Sequence, residues 1–127
     1  MDERGIGPEA APEGAASDLQ VFFRLAELWK LTTDQQISLL GSPARSTFFK
    51  WKKEGGALPA DTVERISHLV ALYKSLEILL PRPEAAEGWI HRPNDYFDGK
   101  SALDVMLGGR VANLFEVRSY ADAQRGG

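Results

Sequence analysis

The chain has 127 residues, no cysteine and a formal net charge of −3, with 43% apolar and 26% charged residues. Such a length suits one domain or a small domain with an appended module, and the balance is that of an ordinary folded protein, not a disordered or fibrous one. Without cysteine there are no disulfides, thiol nucleophiles or thiolate zinc sites. No apolar run approaches the ~20 residues of a membrane span, and the acidic N-terminus lacks the apolar core of a signal peptide, so the expectation is a cytoplasmic protein that meets no membrane.

Residues 1–17 hold four acids against one base and no aromatic residue. Rich in Gly, Pro, Ala and Glu, they are expected to form a flexible tail, because such a segment buries too little surface to offset its ordering entropy. Ser17 or Asp18 is placed to cap a first helix, in which Leu19, Phe22, Phe23, Leu25, Ala26 and Trp29 recur at helical spacing up to about Leu31. Thr32 or Thr33 starts a short second helix with Ile37 and Leu40 inward, and Gly41 is suited to stop it in a left-handed conformation. Ser42-Pro43 then predicts a cap and first-turn proline for a third helix over 44–53.

Between 43 and 53 stand Arg45, Lys50, Lys52 and Lys53 with no acid among them. A local basic stripe governs phosphate contact more than the total charge does. Two short helices joined by a glycine turn fit a helix-turn-helix, whose second helix offers its N-terminal residues to the major groove. Arg45, Ser46, Thr47, Lys50, Lys52 and Lys53 are the candidate DNA contacts, Arg45 suited to guanine and the lysines to phosphates; Phe48 and Trp51 are expected to point inward. The competing reading is a plain three-helix core with a basic solvated face. A single unit offers few contacts, so operator binding implies a homodimer or larger assembly.

Gly55-Gly56 and Pro59 interrupt the chain, and Asp61 or Thr62 starts the longest helix, running to about Leu80. Val63, Ile66, Leu69, Tyr73, Leu76 and Leu80 form a narrow seam, widened by Val70, Leu72 and Leu79. Its partner is either the chain's own core or a second copy. His68 on this helix is expected to satisfy a local hydrogen bond. Pro81-Arg82-Pro83 ends the helix. A polar connector, a turn at Trp89 and a loop through Pro93-Asn94 and Asp98-Gly99 follow, then a helix over 102–107 capped by Ser101 and a last helix over about 111–123. No period-two strand pattern appears, so the fold class is all-α.

Catalysis finds little support. His68 and His91 lack a second imidazole at metal-ligand spacing; Asp95, Asp98 and Asp104 do not follow a calcium-loop spacing. Gly108-Gly109-Arg110 precedes a helix but lacks the lysine and hydroxyl of a phosphate-binding loop. No catalytic residue, metal site or cofactor is assigned. The residues leave two functions open: a protein inhibitor that doubles as a repressor, and a stand-alone regulator whose C-terminal third dimerises or senses a ligand.

Leu39-Leu40-Gly41 precedes Ser46-Thr47-Phe48-Phe49-Lys50-Trp51. Trp89-x-x-Arg92-Pro93-Asn94-x-x-Phe97-x-Gly99-x-Ser101-Ala102-Leu103-Asp104 follows, then Val117-Arg118-x-Tyr120 and Arg125-Gly126-Gly127. In this order they resemble the Xre/MbcA/ParS family of antitoxins over about residues 18–127. The resemblance implies a type II antitoxin that neutralises a RES-domain toxin encoded beside it, an enzyme that consumes NAD, by covering its active-site cleft with the C-terminal region. It also implies repression of the protein's own operon through the helix-turn-helix. By position, Trp89, Arg92, Pro93, Asn94, Arg118, Tyr120, Arg125, Gly126 and Gly127 become the candidate toxin contacts. Trp89 and Phe97 are equally suited to anchor a core, Arg92-Pro93-Asn94 to cap a loop, and Arg125-Gly126-Gly127 to fray. The implied organisation is a tail over 1–17, a helix-turn-helix bundle with a long helix over 18–80 and a small helical toxin-binding domain over 81–127. The acidic N-terminal extension departs from the family pattern.

Overall fold

A computed structural model describes the backbone of residues 10–126 and the side chains of residues 18–126. Seven α-helices occupy these residues: α1 Ala10–Leu28, α2 Thr33–Leu39, α3 Arg45–Glu54, α4 Ala60–Leu79, α5 Pro83–Gly88, α6 Ala102–Met106 and α7 Val111–Gly126. Short 3-10 turns cover Trp89–His91 and Asp95–Phe97. No strand occurs among the described residues; Pro93 and Ser101 make one isolated antiparallel bridge.

The first helix begins earlier than the composition suggests. Ser17 and Asp18 lie within α1 instead of capping it, and the expected tail is helical from Ala10 onward. Ala10, Ala11, Ala15 and Ala16 are strong helix formers, and Pro12 falls in the first turn, where a missing N–H costs no intrahelical bond. Residues 1–9 lie outside the described residues.

Thr32 starts α2 with a full capping box: its hydroxyl accepts from the Gln35 N–H at 3.1 Å while the Gln35 side chain accepts from the Thr32 N–H at 2.9 Å. At the other end the Ser42 N–H reaches the Ile37 carbonyl and the Gly41 N–H the Ser38 carbonyl. Gly41 takes φ +98° and Ser42 φ +59°, so Gly41 stops the helix as its position predicts. The same geometry corrects the start of α3. Ser42 is consumed in terminating α2, Ala44 becomes the N-cap without a side-chain bond, and Pro43 lies outside the helix instead of at its first position.

The core is built on α4, the longest helix, which packs on α1 along one side and on α7 along another. Ile66, Leu69, Leu72 and Leu76 are buried, whereas Val63, Tyr73 and Leu80 of the predicted seam are half-buried. The seam therefore belongs largely to the chain's own core. Phe22 and Leu25 of α1, Trp29 just beyond it, and Leu114, Val117 and Ala121 of α7 are buried with them. At roughly 1.5–3 kcal/mol for each fully buried Leu, Phe or Val side chain, this is the dominant favourable term.

One row on α4 is polar and buried. Arg65 donates to Asp61 Oδ2 at 2.8 Å and to the Gly109 carbonyl at 3.0 Å; Ser75 donates to Asp122 Oδ1 at 2.7 Å. Thr62 reaches the Leu40 carbonyl at 3.3 Å, so the start of α4 is tied to the turn after α2 and, through Arg65, to the turn before α7. His91 Nε2 lies 2.7 Å from the Trp29 carbonyl and must donate to it, joining the C-terminal segment to the end of α1.

The expected polar connector after Pro81 contains α5. Pro83 occupies its first turn, Glu84 complements the helix dipole, and Ala86 is buried. Ser101 caps α6 by accepting from the Asp104 N–H at 3.0 Å, as expected. The last helix runs beyond the predicted 123, through Gly126.

Candidate functional site

On α3, Phe48 is fully buried and Trp51 nearly so, which turns the opposite face to solvent. Arg45, Ser46, Lys50, Lys52 and Lys53 are exposed and Thr47 is half-buried. At about 100° per residue, Ser46, Phe49, Lys50 and Lys53 form the outermost strip. Two cations are already engaged within the chain. Arg45 donates to Asp34 of α2 at 2.7 Å and lies 5.8 Å from the Phe49 ring; Lys52 lies 5.9 Å from the Phe23 ring of α1. Phe49, absent from the candidate DNA contacts, is 45% exposed in the midst of them. Its signal in the sequence is its angular position, opposite Phe48 and Trp51 on the helical wheel.

The eight C-terminal candidates among the described residues do not form one patch. Tyr120 projects from α7 toward the segment before α6: it stacks on Trp89 with centroids 6.2 Å apart and planes 14° from parallel, and lies 4.3 Å from Tyr96 and 5.5 Å from Phe97. Phe97 is buried, Trp89 and Tyr120 are half-buried, and Tyr96 is 60% exposed. The loop beneath is held locally. Asn94 Oδ1 accepts from the Tyr96 N–H at 2.8 Å, and the Asn94 N–H donates to the Lys100 carbonyl. Arg92 is exposed, its guanidinium beside Gly88, where an added Cβ would meet it at 3.5 Å.

Arg118, two residues from Tyr120 and so about 200° around the helix, faces α4. It donates to His68 Nδ1 at 3.1 Å and to Asp122 Oδ2 at 3.3 Å. Because an arginine only donates, His68 Nδ1 is the acceptor and the proton sits on Nε2, 3.4 Å from Glu64. His68 thus bridges two helices beyond its expected local bond. Arg125 donates to Ser75 at 3.4 Å. Ala71, Lys74, Arg118, Asp122, Arg125 and Gly126 line an open groove of about 460 Å³, with three cations to one carboxylate. Arg125 and Gly126 are the last turn of α7; Gly127 lies outside the described residues.

On the arginine side Phe115 is 55% exposed, edge-on to His68 at 5.6 Å. Tyr96 and Phe115 were not singled out by the sequence. Each stands beside buried apolar residues, and exposure of one aromatic in such a run is decided by packing.

No helix among the described residues is long and apolar enough to cross a membrane. Residues 8–71 match the model of the antitoxin Xre-like helix-turn-helix domain, and residues 75–127 that of the antitoxin Xre/MbcA/ParS C-terminal toxin-binding domain. The chain is also 58% identical over 124 residues to a Sinorhizobium fredii protein described as uncharacterized protein y4oB, an alignment that spans 98% of this chain and 96% of that protein. The chain belongs to the Xre/MbcA/ParS family of antitoxins, with a helix-turn-helix domain followed by a C-terminal toxin-binding domain.

Proposed function

We propose that this antitoxin neutralises a RES-domain toxin that consumes NAD, encoded by an adjacent gene, and that it represses its own operon through α3. It acts in the cytoplasm as a type II antitoxin and contributes no catalytic step. Residues 18–80 form the DNA-reading half, residues 81–127 the toxin-binding half, and the assembly on DNA is a dimer or a larger complex with toxin.

The observation that carries the reading is the match of residues 75–127 to a toxin-binding domain, on which two chemically distinct flanks converge along α7. The aromatic flank of Trp89, Tyr120 and Tyr96 supplies large, rigid contact area, and the arginine flank of Arg118 and Arg125 supplies cations beside Lys74. Trp, Tyr and Arg are the side chains that dominate interface energetics. The cations of the arginine flank complement acidic groups on the partner surface. The end of α7, carrying Arg125 and Gly126, is the part that covers the cleft, with Gly127 beyond it. A partner that touches both flanks must straddle the outer ridge of α7, opposite the buried Leu114, Val117 and Ala121.

Expression of the neighbouring gene alone and together with this chain tests the reading. Growth arrest with loss of cellular NAD, relieved by this chain, is the expected result. A harmless neighbour, or arrest that persists at excess antitoxin, overturns it. Deletion of residues 125–127 is expected to weaken inhibition more than complex formation; equal loss of both would reduce the terminus to an affinity contact.

A further inference from the structure

Four phenylalanines run in edge-to-face order from the core to the surface. Phe22 meets Phe23 at 5.4 Å on α1, Phe23 meets Phe48 of α3 at 5.8 Å, and Phe48 meets Phe49 at 5.2 Å. The first is 1% exposed and the last 45%. The neighbours of Phe49 one helical turn away are Arg45, Ser46, Lys52 and Lys53. All are cationic or hydroxylated, so the ring is an isolated apolar knob in a basic field. It is also pre-set: Phe48 backs it, and the Arg45 guanidinium, itself fixed by Asp34, lies 5.8 Å from its centroid.

A basic field complements a phosphate backbone and repels a cationic partner. In the major groove of DNA the bases offer hydrogen-bonding groups and one apolar feature, the C5 methyl of thymine. We propose that Phe49 reads thymine methyl groups in the operator, a specificity element additional to the polar contacts of Ser46, Lys50 and Lys53; this rests on the DNA-reading role of α3. Phe49 confers a preference for thymine over cytosine at one or two positions per half-site. The lysines beside it bind phosphates irrespective of sequence.

The test replaces thymine by deoxyuridine, which removes the methyl group and leaves every hydrogen-bonding atom in place. The probes are a duplex spanning the protein's own promoter and the best duplex from an in vitro selection on random sequence, each titrated with the full chain at fixed salt. One or two positions are expected to lose about fourfold in affinity on the change to deoxyuridine, the worth of one buried methyl group. With Phe49→Gln that difference is expected to vanish while overall binding persists, circular dichroism confirming the fold. Sequence-specific binding that is indifferent to deoxyuridine at every position overturns the role of Phe49 and leaves the DNA-reading role intact. Loss of self-association or of toxin binding in Phe49→Gln, together with that indifference, assigns the ring to a protein contact. Absence of specific binding to both duplexes overturns the inference and the DNA-reading role together.

Discussion

The two candidate surfaces are each built on one helix, and they differ in how the helix is used. On α3 the buried pair Phe48 and Trp51 occupies one side, so the basic candidates emerge together on the other. On α7 the buried residues Leu114, Val117 and Ala121 face inward, Tyr120 leans to one flank, and Arg118 and Arg125 lean to the opposite flank against α4. The first surface follows from the periodicity of one helix, with Arg45 and Lys52 also engaged by α2 and α1, and the second exists only through the packing of α4, α7 and the loop at 89–97. A DNA-reading face can thus be carried by local periodicity, whereas a face for another protein is assembled from distant segments.

The strongest way to break this comparison is to loosen the seam that makes α7 dependent on α4. Leu72 is buried on α4 between His68 and Ser75, both bonded to α7. Leu72→Ala is expected to cost about 3 kcal/mol and to shift the midpoint of one cooperative denaturant transition. Two separate transitions, with only one moved, would mean that the halves fold independently.

Next in size are the contacts of the two flanks. Tyr120→Ala and Arg118→Ala are each expected to weaken toxin binding by about 2 kcal/mol, or about 30-fold in Kd by titration calorimetry. If Arg118→Ala is neutral while Tyr120→Ala is not, the toxin sits on the aromatic flank alone, and the Arg118 bridge to His68 serves folding.

On α3 the expected effects are smaller and differ in sign. Lys50→Ala is expected to reduce the slope of log affinity against log salt by about one, the mark of a lost phosphate contact. Asp34→Asn releases Arg45 from its 2.7 Å ion pair and removes a negative charge beside the helix, so operator affinity is expected to rise at low salt. A fall would show that the pair holds Arg45 in its reading position.

The smallest effect concerns Tyr73, which packs edge-on to Trp29 at 6.0 Å. Burial raises its pKa above 10.0, and Glu77 and Glu87 add to the shift. The folded state therefore favours the neutral phenol, so this contribution is complete below pH 10 and is lost as pH rises through the raised folded value. Tyr73→Phe is expected to flatten the alkaline limb of a plot of Tm against pH; an unchanged limb would assign it to other groups.

Much of the fold was legible because its signals are local. The Thr32 and Ser101 caps, the Gly41 stop and the inward Phe48 and Trp51 follow from residue chemistry at fixed spacing, and the order of motifs from Leu39 to Arg125 carried the family. The remainder depends on tertiary packing. The extension of α1 to Ala10 was hidden by Pro and Gly among the alanines, and α5 by two prolines that mark its start. The buried row of Arg65, His68 and Ser75 carries no local signal, because its partners, Gly109, Arg118 and Asp122, lie more than forty residues away. For the same reason the C-terminal candidates gave no warning that α7 divides those among the described residues.

The most direct test of the central claim is NAD turnover by the purified neighbouring toxin, titrated with this chain. Inhibition is predicted to be complete at a fixed stoichiometric ratio and to weaken as NAD is raised, because the C-terminal region and the dinucleotide compete for one cleft. Undiminished turnover at saturating antitoxin, in a complex seen to form, would contradict the account.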